Sequence, residues 1–195
     1  MKKLIIVGVV IVLLEAVFGA WYLLNPSKST NQKSLTPSSS SSVKPLSSAI
    51  NNPSSLKITA PKLSFKKGET FEASIALSTA GKPSTASDVI LQYDPSFLKP
   101  VKTTSPFSRG DAYDKLAFNA LDIKSGIATV SAISEVNKNF NGEGILAKIS
   151  FQALKAGQTE IVIKFTPNET RDSNIVSGGK DNLGMVENLN LEIKP

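Results

Sequence analysis

Catalytic and metal chemistry have few places to sit in this sequence. Its 195 residues include no histidine and no cysteine. A Ser-His-Asp triad, a thiolate nucleophile, a disulfide and a His- or Cys-ligated zinc are therefore excluded. Carboxylates, lysines, tyrosines and hydroxyls remain. One acidic pair is Asp111 and Asp114 in "RGDAYD". Two carboxylates at a suitable separation could hydrolyse a glycosidic bond, but acids in a short loop are ordinarily solvated and no other residue joins them. The reading is a non-enzyme without cofactor. Arg109-Gly110-Asp111 also spells an adhesion tripeptide and is read as a turn. Asp181 in "SGGKDNLG" could offer oxygen to calcium, but the segment lacks the regular ligand spacing of a calcium loop. A hairpin turn is expected there, and no metal site. Asn168-Glu169-Thr170 is a glycosylation sequon, meaningful only in a eukaryotic secretory route.

Binding chemistry is the better prospect. Sugar rings stack on exposed aromatic faces, and the single tryptophan, Trp21, lies in an N-terminal apolar run. Tyr93 reads as core. Tyr113, Phe107 and Phe140, all placed in loops, are then the candidates for a carbohydrate platform. That gives direct polysaccharide binding as the alternative function, beside a structural or adhesive surface role.

Three compositional segments must carry these groups. In residues 1–24, Leu4 to Leu24 is apolar except for Glu15. At about 1.5 Å per residue the run spans roughly 31 Å, the thickness of a bilayer core. Trp21 and Tyr22 fall where an interfacial aromatic belt belongs, and Asn25-Pro26 ends the helix. Phe18-Gly19-Ala20 is a poor signal-peptidase site, so a retained single-pass transmembrane anchor is expected rather than a cleaved signal. Lys2 and Lys3 put the N-terminus in the cytoplasm and the rest outside the cell. Glu15 would cost about 2.5–3.5 kcal/mol if ionised at the helix centre, and is read as tolerated. Residues 25–55 are Ser/Pro-rich with no apolar period, and read as a disordered, flexible linker.

Residues 56–195 form the globular segment, long enough to bury a core. It holds 17 Lys/Arg against 15 Asp/Glu, so no nucleic-acid footprint is expected. Apolar residues recur with period two between turn residues. "TFEASIALS" sets Phe71, Ala73, Ile75 and Leu77 inward. "SDVILQYD" sets Val89, Leu91 and Tyr93 inward and Asp88, Ile90 and Gln92 outward. "GIATVSAIS" is a strand of small residues. "GILAKISFQAL" sets Ile145, Ala147, Ile149 and Phe151 inward, "QTEIVIKF" sets Ile161, Ile163 and Phe165, and "MVENLNLEI" sets Leu189, Leu191 and Ile193. Strands with one apolar face each pair those faces, giving an all-β sandwich.

The stretch "LQYDPSFLKPV" halts a strand at Tyr93-Asp94-Pro95 and resumes it at once. Proline lacks the N–H that a ladder needs, and Asp94 can bond nearby turn amides. Together with "GEGILAKISFQAL" and the entry "LKITAPKLSFKKGETFEASIAL", this resembles the cohesin domain family over roughly Leu56 to Pro195. The resemblance implies a nine-stranded jelly-roll β-sandwich. It also implies a partner, a dockerin-bearing protein with calcium-loaded loops, and context in polysaccharide degradation. The family's contact face places an Asp six residues before the Asp of Tyr-Asp-Pro, which is Asp88 here, with Ile90 and Gln92 beside it. A Glu after the "VSAIS" strand falls on Glu135. The family often has an Asn just before that Asp, where this chain has Ala86 and Ser87. The function expected is a membrane-anchored, extracellular, non-catalytic binding module with partner residues Asp88, Ile90, Gln92 and Glu135.

Overall fold

The computed structural model of the chain describes residues 53–167, 169 and 171–195. The expected anchor at 1–24, nearly all of the linker and most of the 168–170 sequon lie outside them. Among the described residues no helix is long and apolar enough to cross a membrane. All regular structure there is β. Strands β1 (Ser54–Thr59), β3 (Thr70–Ser78), β5 (Leu98–Pro100), β6 (Phe107–Arg109), β9 (Glu143–Ala153) and β13 (Leu183–Glu187) make one sheet. Strands β2 (Ser64–Lys66), β4 (Ala86–Tyr93), β7 (Lys115–Asp122), β8 (Ile127–Ile133), β10 (Gly157–Ile163), β11 (Asn174–Ser177), β12 (Lys180–Asp181) and β14 (Leu189–Lys194) make the other. Strand β1 already includes Ser54 and Ser55, which composition alone assigned to the linker.

The first sheet runs β13-β1-β3-β9-β5, with β6 also on β9. In the second, β4 is central. Strand β8 pairs along one edge of β4, and β7 pairs with β8. Along the other edge β11 pairs with Ala86–Asp88 and β10 with Leu91–Tyr93. Where β10 gives way to β11 the Ile90 amide has no strand partner, and it donates instead to Ser173 Oγ at 3.0 Å. Burial of that serine is complete, as a hydroxyl standing in for a ladder acceptor requires.

Alternation puts one side of each strand into a shared core, and the inward residues expected of β3, β4 and β14 are buried. Four rings cross the core at one end. Phe65 stacks on Phe71 at 4.1 Å, Phe71 lies 5.9 Å from Phe151, and Tyr93 meets Phe151 edge-on at 5.1 Å. Two of these rings come from each sheet, so they staple the layers together.

Strand β9 departs from the expected alternation. The ladder to β3 shifts register, with Ile75 opposite Ala147 but Ala76 opposite Ile145. Leu146 is the extra residue of a β-bulge. It is fully buried, while Ile145 turns to the outer surface, half-exposed. The expectation that Ile145 faces inward is corrected, because one added residue inverts the alternation beyond it.

The Tyr93-Asp94-Pro95 rim behaves as its chemistry dictates. Tyr93 and Leu98 are buried on either side of the turn, and the Ser96 amide donates to Asp94 Oδ1 at 2.7 Å. This hydrogen bonding, first from the Ser96 hydroxyl and then from its amide, holds the Asp94 carboxyl below the usual carboxylate range. The chain crosses here from β4 in one sheet to β5 in the other. Gly126 closes over the crossing with φ +64, and its carbonyl accepts the Tyr93 N–H at 2.9 Å. A Cβ at Gly126 would sit 2.1 Å from the Tyr93 carbonyl oxygen, so only glycine fits.

Candidate binding face

The outward residues of β4 are Ala86, Asp88, Ile90 and Gln92. Sheet register fixes what stands beside each of them. Asp88 lies opposite Ser131 of β8 and Asn174 of β11. Phe118 of β7 extends that row beyond Ser131. Ile90 faces Thr129, and Ala120 follows on β7. Gln92 lies between Ile127 and Val162. Ala86 lies between Ile133 and Val176. The result is an open sheet surface whose half-exposed side chains are mostly isoleucine, valine, alanine, serine and threonine, with Phe118 53% exposed. At its Gln92 end the surface dips into a depression of about 580 Å³, bordered by Ser125, Glu160 and Val162.

Asp88 is the carboxylate in the middle of this surface. Its Oδ2 accepts from Asn174 Nδ2 at 3.0 Å, and its own amide donates to Asn174 Oδ1 at 3.3 Å. Among the described residues Asn174 alone bonds that carboxylate. The reciprocal pair fixes the Asp88 rotamer while the other carboxylate oxygen stays available. Half-exposed apolar groups around one oriented charge suit the core of a protein interface.

Glu135 lies two residues past the end of β8, at the end of the sheet that carries Ala86 and Ile133. Its amide donates to Asp114 Oδ2 at 2.9 Å, and Lys138 bridges its carboxylate at 2.7 Å and Asp114 at 3.4 Å. The Glu135 hydrogen bond holds the Asp114 carboxyl below its usual range, and hydrogen bonding to Glu135 raises the Lys138 ammonium above its own. This network orders a turn that displays Val136, 89% exposed. Asp88, Ile90 and Gln92 thus share one strand face, and Glu135 stands at the end of that face without contacting Asp88.

The aromatic platform is not formed. Tyr113 is 2% and Phe107 4% exposed. Phe107 belongs to β6 rather than a loop, its N–H and C=O bound by the Asn119 side chain at 3.1 and 2.8 Å. The Tyr113 hydroxyl lies 2.7 Å from both Ser84 Oγ and Ser87 Oγ, and burial raises its pKa. Phe140 is half-buried against the Tyr113 ring, 5.8 Å between centroids. These rings serve the core rather than solvent, and Tyr113 pins β4 one residue from Asp88.

The remaining motifs are structural. Arg109 Nη1 donates to the Tyr113 carbonyl at 2.7 Å, and Asp111 Oδ1 accepts from the Ile145 amide at 2.6 Å. Gly110 lies so close that a Cβ there would sit 1.9 Å from the Ile145 carbonyl oxygen. The tripeptide is therefore bound to the β9 bulge, and Asp111 and Asp114 are held by different segments. Asp181 Oδ1 accepts from the Ile175 and Leu183 amides at 3.2 and 2.9 Å, capping a hairpin turned by Gly178 and Gly179 at φ 57 and 74. Among the described residues no group of three or more acidic side chains could hold a metal ion. Sequence reasoning missed Asn174, Phe118, Ser131 and Thr129, which only strand pairing brings to Asp88.

The family model described as Cohesin domain matches residues 54–182. No curated protein matches the sequence. Solved structures with a similar fold include a type II cohesin dyad from the adaptor ScaA scaffoldin of Acetivibrio cellulolyticus, at 20% identity and TM-score 0.60. That alignment covers 70% of this chain and 48% of the other, so this chain spans about half the length of the dyad. The third cohesin of ScaC, solved with the ScaB dockerin of the same organism, aligns at 14% identity and TM-score 0.59, over 73% of this chain and 99% of that one. A non-cellulosomal cohesin from the hyperthermophilic archaeon Archaeoglobus fulgidus aligns at 12% identity and TM-score 0.56, over 74% and 93%.

Proposed function

Because this chain belongs to the cohesin domain family, we propose that it is a non-catalytic docking module that binds a calcium-loaded dockerin through the β7-β8-β4-β11 sheet surface. The observation that carries this reading is the environment of Asp88. It is an oriented carboxylate set among half-exposed Ile90, Ile133, Val176 and Phe118, and among the described residues its hydrogen-bonding neighbour is a neutral amide. A merely solvated sheet face has no reason to keep these side chains apolar. Solved relatives support the partner class, since the ScaC cohesin is in complex with a dockerin.

On this reading Ile90 and its neighbours supply the desolvated centre, Asp88 accepts a hydrogen bond from the partner, and Gln92 and Glu135 mark opposite ends of the contact. We further propose that residues 1–24 anchor the protein in the cell membrane with the domain outside, and that residues 25–55 link the two. The docked partner would be a polysaccharide-degrading enzyme held at the cell surface. Burial of Tyr113 and Phe107 removes two of the three rings expected to form a glycan platform. Calorimetry of the full chain against a calcium-loaded dockerin and a panel of soluble neutral polysaccharides tests the assignment. Heat from the dockerin alone is expected, abolished by Ile90→Lys. Heat from a neutral polysaccharide alone would overturn the reading.

A further inference from the structure

The surface at the other end of the sandwich differs in charge. Strand β2 lies beside the end of β14, and their register sets Lys66 directly against Lys194. Like charges in that position destabilise a sheet. The next residue, Lys67, donates its amide to the Lys194 carbonyl at 2.8 Å. Across the sandwich edge Lys99 of β5 and Thr70 of β3 flank Gln152 of β9. Lys155 follows, its ammonium 5.0 Å above the Phe97 ring.

Two depressions meet at Gln152. One, of about 440 Å³, is lined by Lys67, Gly68, Gln152, Ala153, Leu154 and the terminal Pro195. The second, of about 210 Å³, is lined by Thr70, Lys99, Pro100, Val101 and Gln152. No acidic side chain lines either one. Two depressions elsewhere on the domain differ: Glu160 and Asp94 line the one beside Gln92, and Glu143 and Glu187 line one on the outer face of the first sheet. The nearby acids are turned to other lysines, Glu69 to Lys62 at 2.6 Å and Glu192 to Lys194 at 3.8 Å. Lys67 and Lys99 thus line the two halves of one trough, and the α-carboxylate of Pro195 is the one anionic group among its lining residues. The middle is the Gln152 amide, which donates to the Gly68 carbonyl at 3.4 Å.

We propose that this trough binds an anionic polysaccharide, its phosphate or carboxylate groups seated on Lys67 and Lys99 and its hydroxyls bonded by Gln152. Both anions accept charge-assisted hydrogen bonds from lysine, and a chain polymer fits two linked depressions with one lysine in each. A nucleic acid would call for exposed rings on which bases stack. No aromatic residue lines the trough, and the neighbouring Phe97 is half-buried with Lys155 above its ring. The trough adjoins the Thr70 end of β3 and the ends of β2 and β14, whereas Asp88 lies on β4, separated from β14 by β10, so the site is independent of the dockerin reading.

The test uses the full chain and two probes, polygalacturonate for carboxylate and a wall-type polyglycerol phosphate for phosphate. Dextran, an oligonucleotide and vesicles containing an anionic phospholipid serve as comparisons. Binding to one or both anionic probes is expected, weakening as salt shortens the screening length. The probe that binds more tightly names the group. The double variant Lys67→Glu/Lys99→Glu is expected to bind about tenfold or more weakly, with Lys67→Gln/Lys99→Gln giving the same direction without charge reversal. Lys82→Glu/Lys180→Glu, away from the trough, should leave binding unchanged, as should Asp88→Ala. Four results would each overturn the proposal: no binding to either probe at about 0.1 M salt, equal loss in the Lys82/Lys180 variant, binding to dextran as strong, or tighter binding to the oligonucleotide or the vesicles.

Discussion

The outer faces of the two sheets are built on the same alternation and filled differently. On the β1-β3-β9 face Lys57 of β1 pairs with Glu187 of β13 at 2.6 Å, and Lys148 of β9 with Glu72 of β3 at 3.1 Å. Serines and threonines stand between them, with Ala76 and the outward Ile145 in the Lys57 row. The β4-β8 face puts Ile90, Ile127 and Ile133 at equivalent outward positions. Exposed ion pairs contribute at most about 1 kcal/mol each, so the charges on the first face serve solubility more than stability. The contrast teaches that an outward strand position does not dictate polarity. Where the apolar residues gather around one oriented carboxylate, solvation alone does not explain them.

The sharpest way to break the comparison is to disturb the layer both sheets share. Leu91 and Phe151 are fully buried, one from each sheet. Leu91→Ala should cost about 2–5 kcal/mol and Phe151→Ala about 3–5 kcal/mol of folding stability, measured by chemical denaturation. A loss confined to one sheet would mean that the two layers do not unfold together.

Substitution on the outer faces should separate them. Ile90→Lys should weaken dockerin binding by about 3 kcal/mol or more, because it buries an unpaired charge at the interface. Ala76→Lys, outward on the ion-paired sheet, should leave that binding unchanged. Asp88→Ala should cost about 2 kcal/mol in binding with folding preserved. Asn174→Ala should cost less, about 1 kcal/mol, because it frees the carboxylate rather than removing it. In a double-mutant cycle the Asn174 effect should vanish once Asp88 is alanine. Independent effects would detach Asn174 from Asp88.

The smallest effect concerns the turn at Glu135. Hydrogen bonding from Glu135 lowers the Asp114 pKa. That contribution is therefore present above the unfolded carboxylate value and is lost as pH falls through the lowered folded value. Hydrogen bonding to Glu135 raises the Lys138 pKa, so its contribution is complete below the ordinary lysine value and lost as pH rises through the raised one. Protection of the Glu135 amide, relative to its intrinsic exchange at each pH, should hold between those limits and fall only below about pH 4 or in strong alkali. A fall in that protection near neutrality would mean another interaction holds the turn.

Much of the fold was legible because period two survives in β3, β4, β10 and β14, whose inner residues are the buried ones. It failed where a bulge interrupts the period. Leu146 inverts β9, and the shift between Leu116 and Phe118 hides β7, whose exposure follows no clean alternation. The outward set Asp88, Ile90 and Gln92 was legible from one strand. Asn174 and Phe118 were not, since they lie 86 and 30 residues from Asp88 in sequence and only pairing through β11 and β8 joins them. Tyr113 and Phe107 were misplaced because a loop position says nothing of what a ring packs against.

Hydrogen–deuterium exchange of the full chain with and without a calcium-loaded dockerin tests the central claim most directly. Protection is expected in β4, β8 and β11, around Asp88, Ser131 and Asn174, with the peptides of β1, β3 and β13 unchanged. Protection on the ion-paired face instead, with β4 and β8 untouched, would contradict the account.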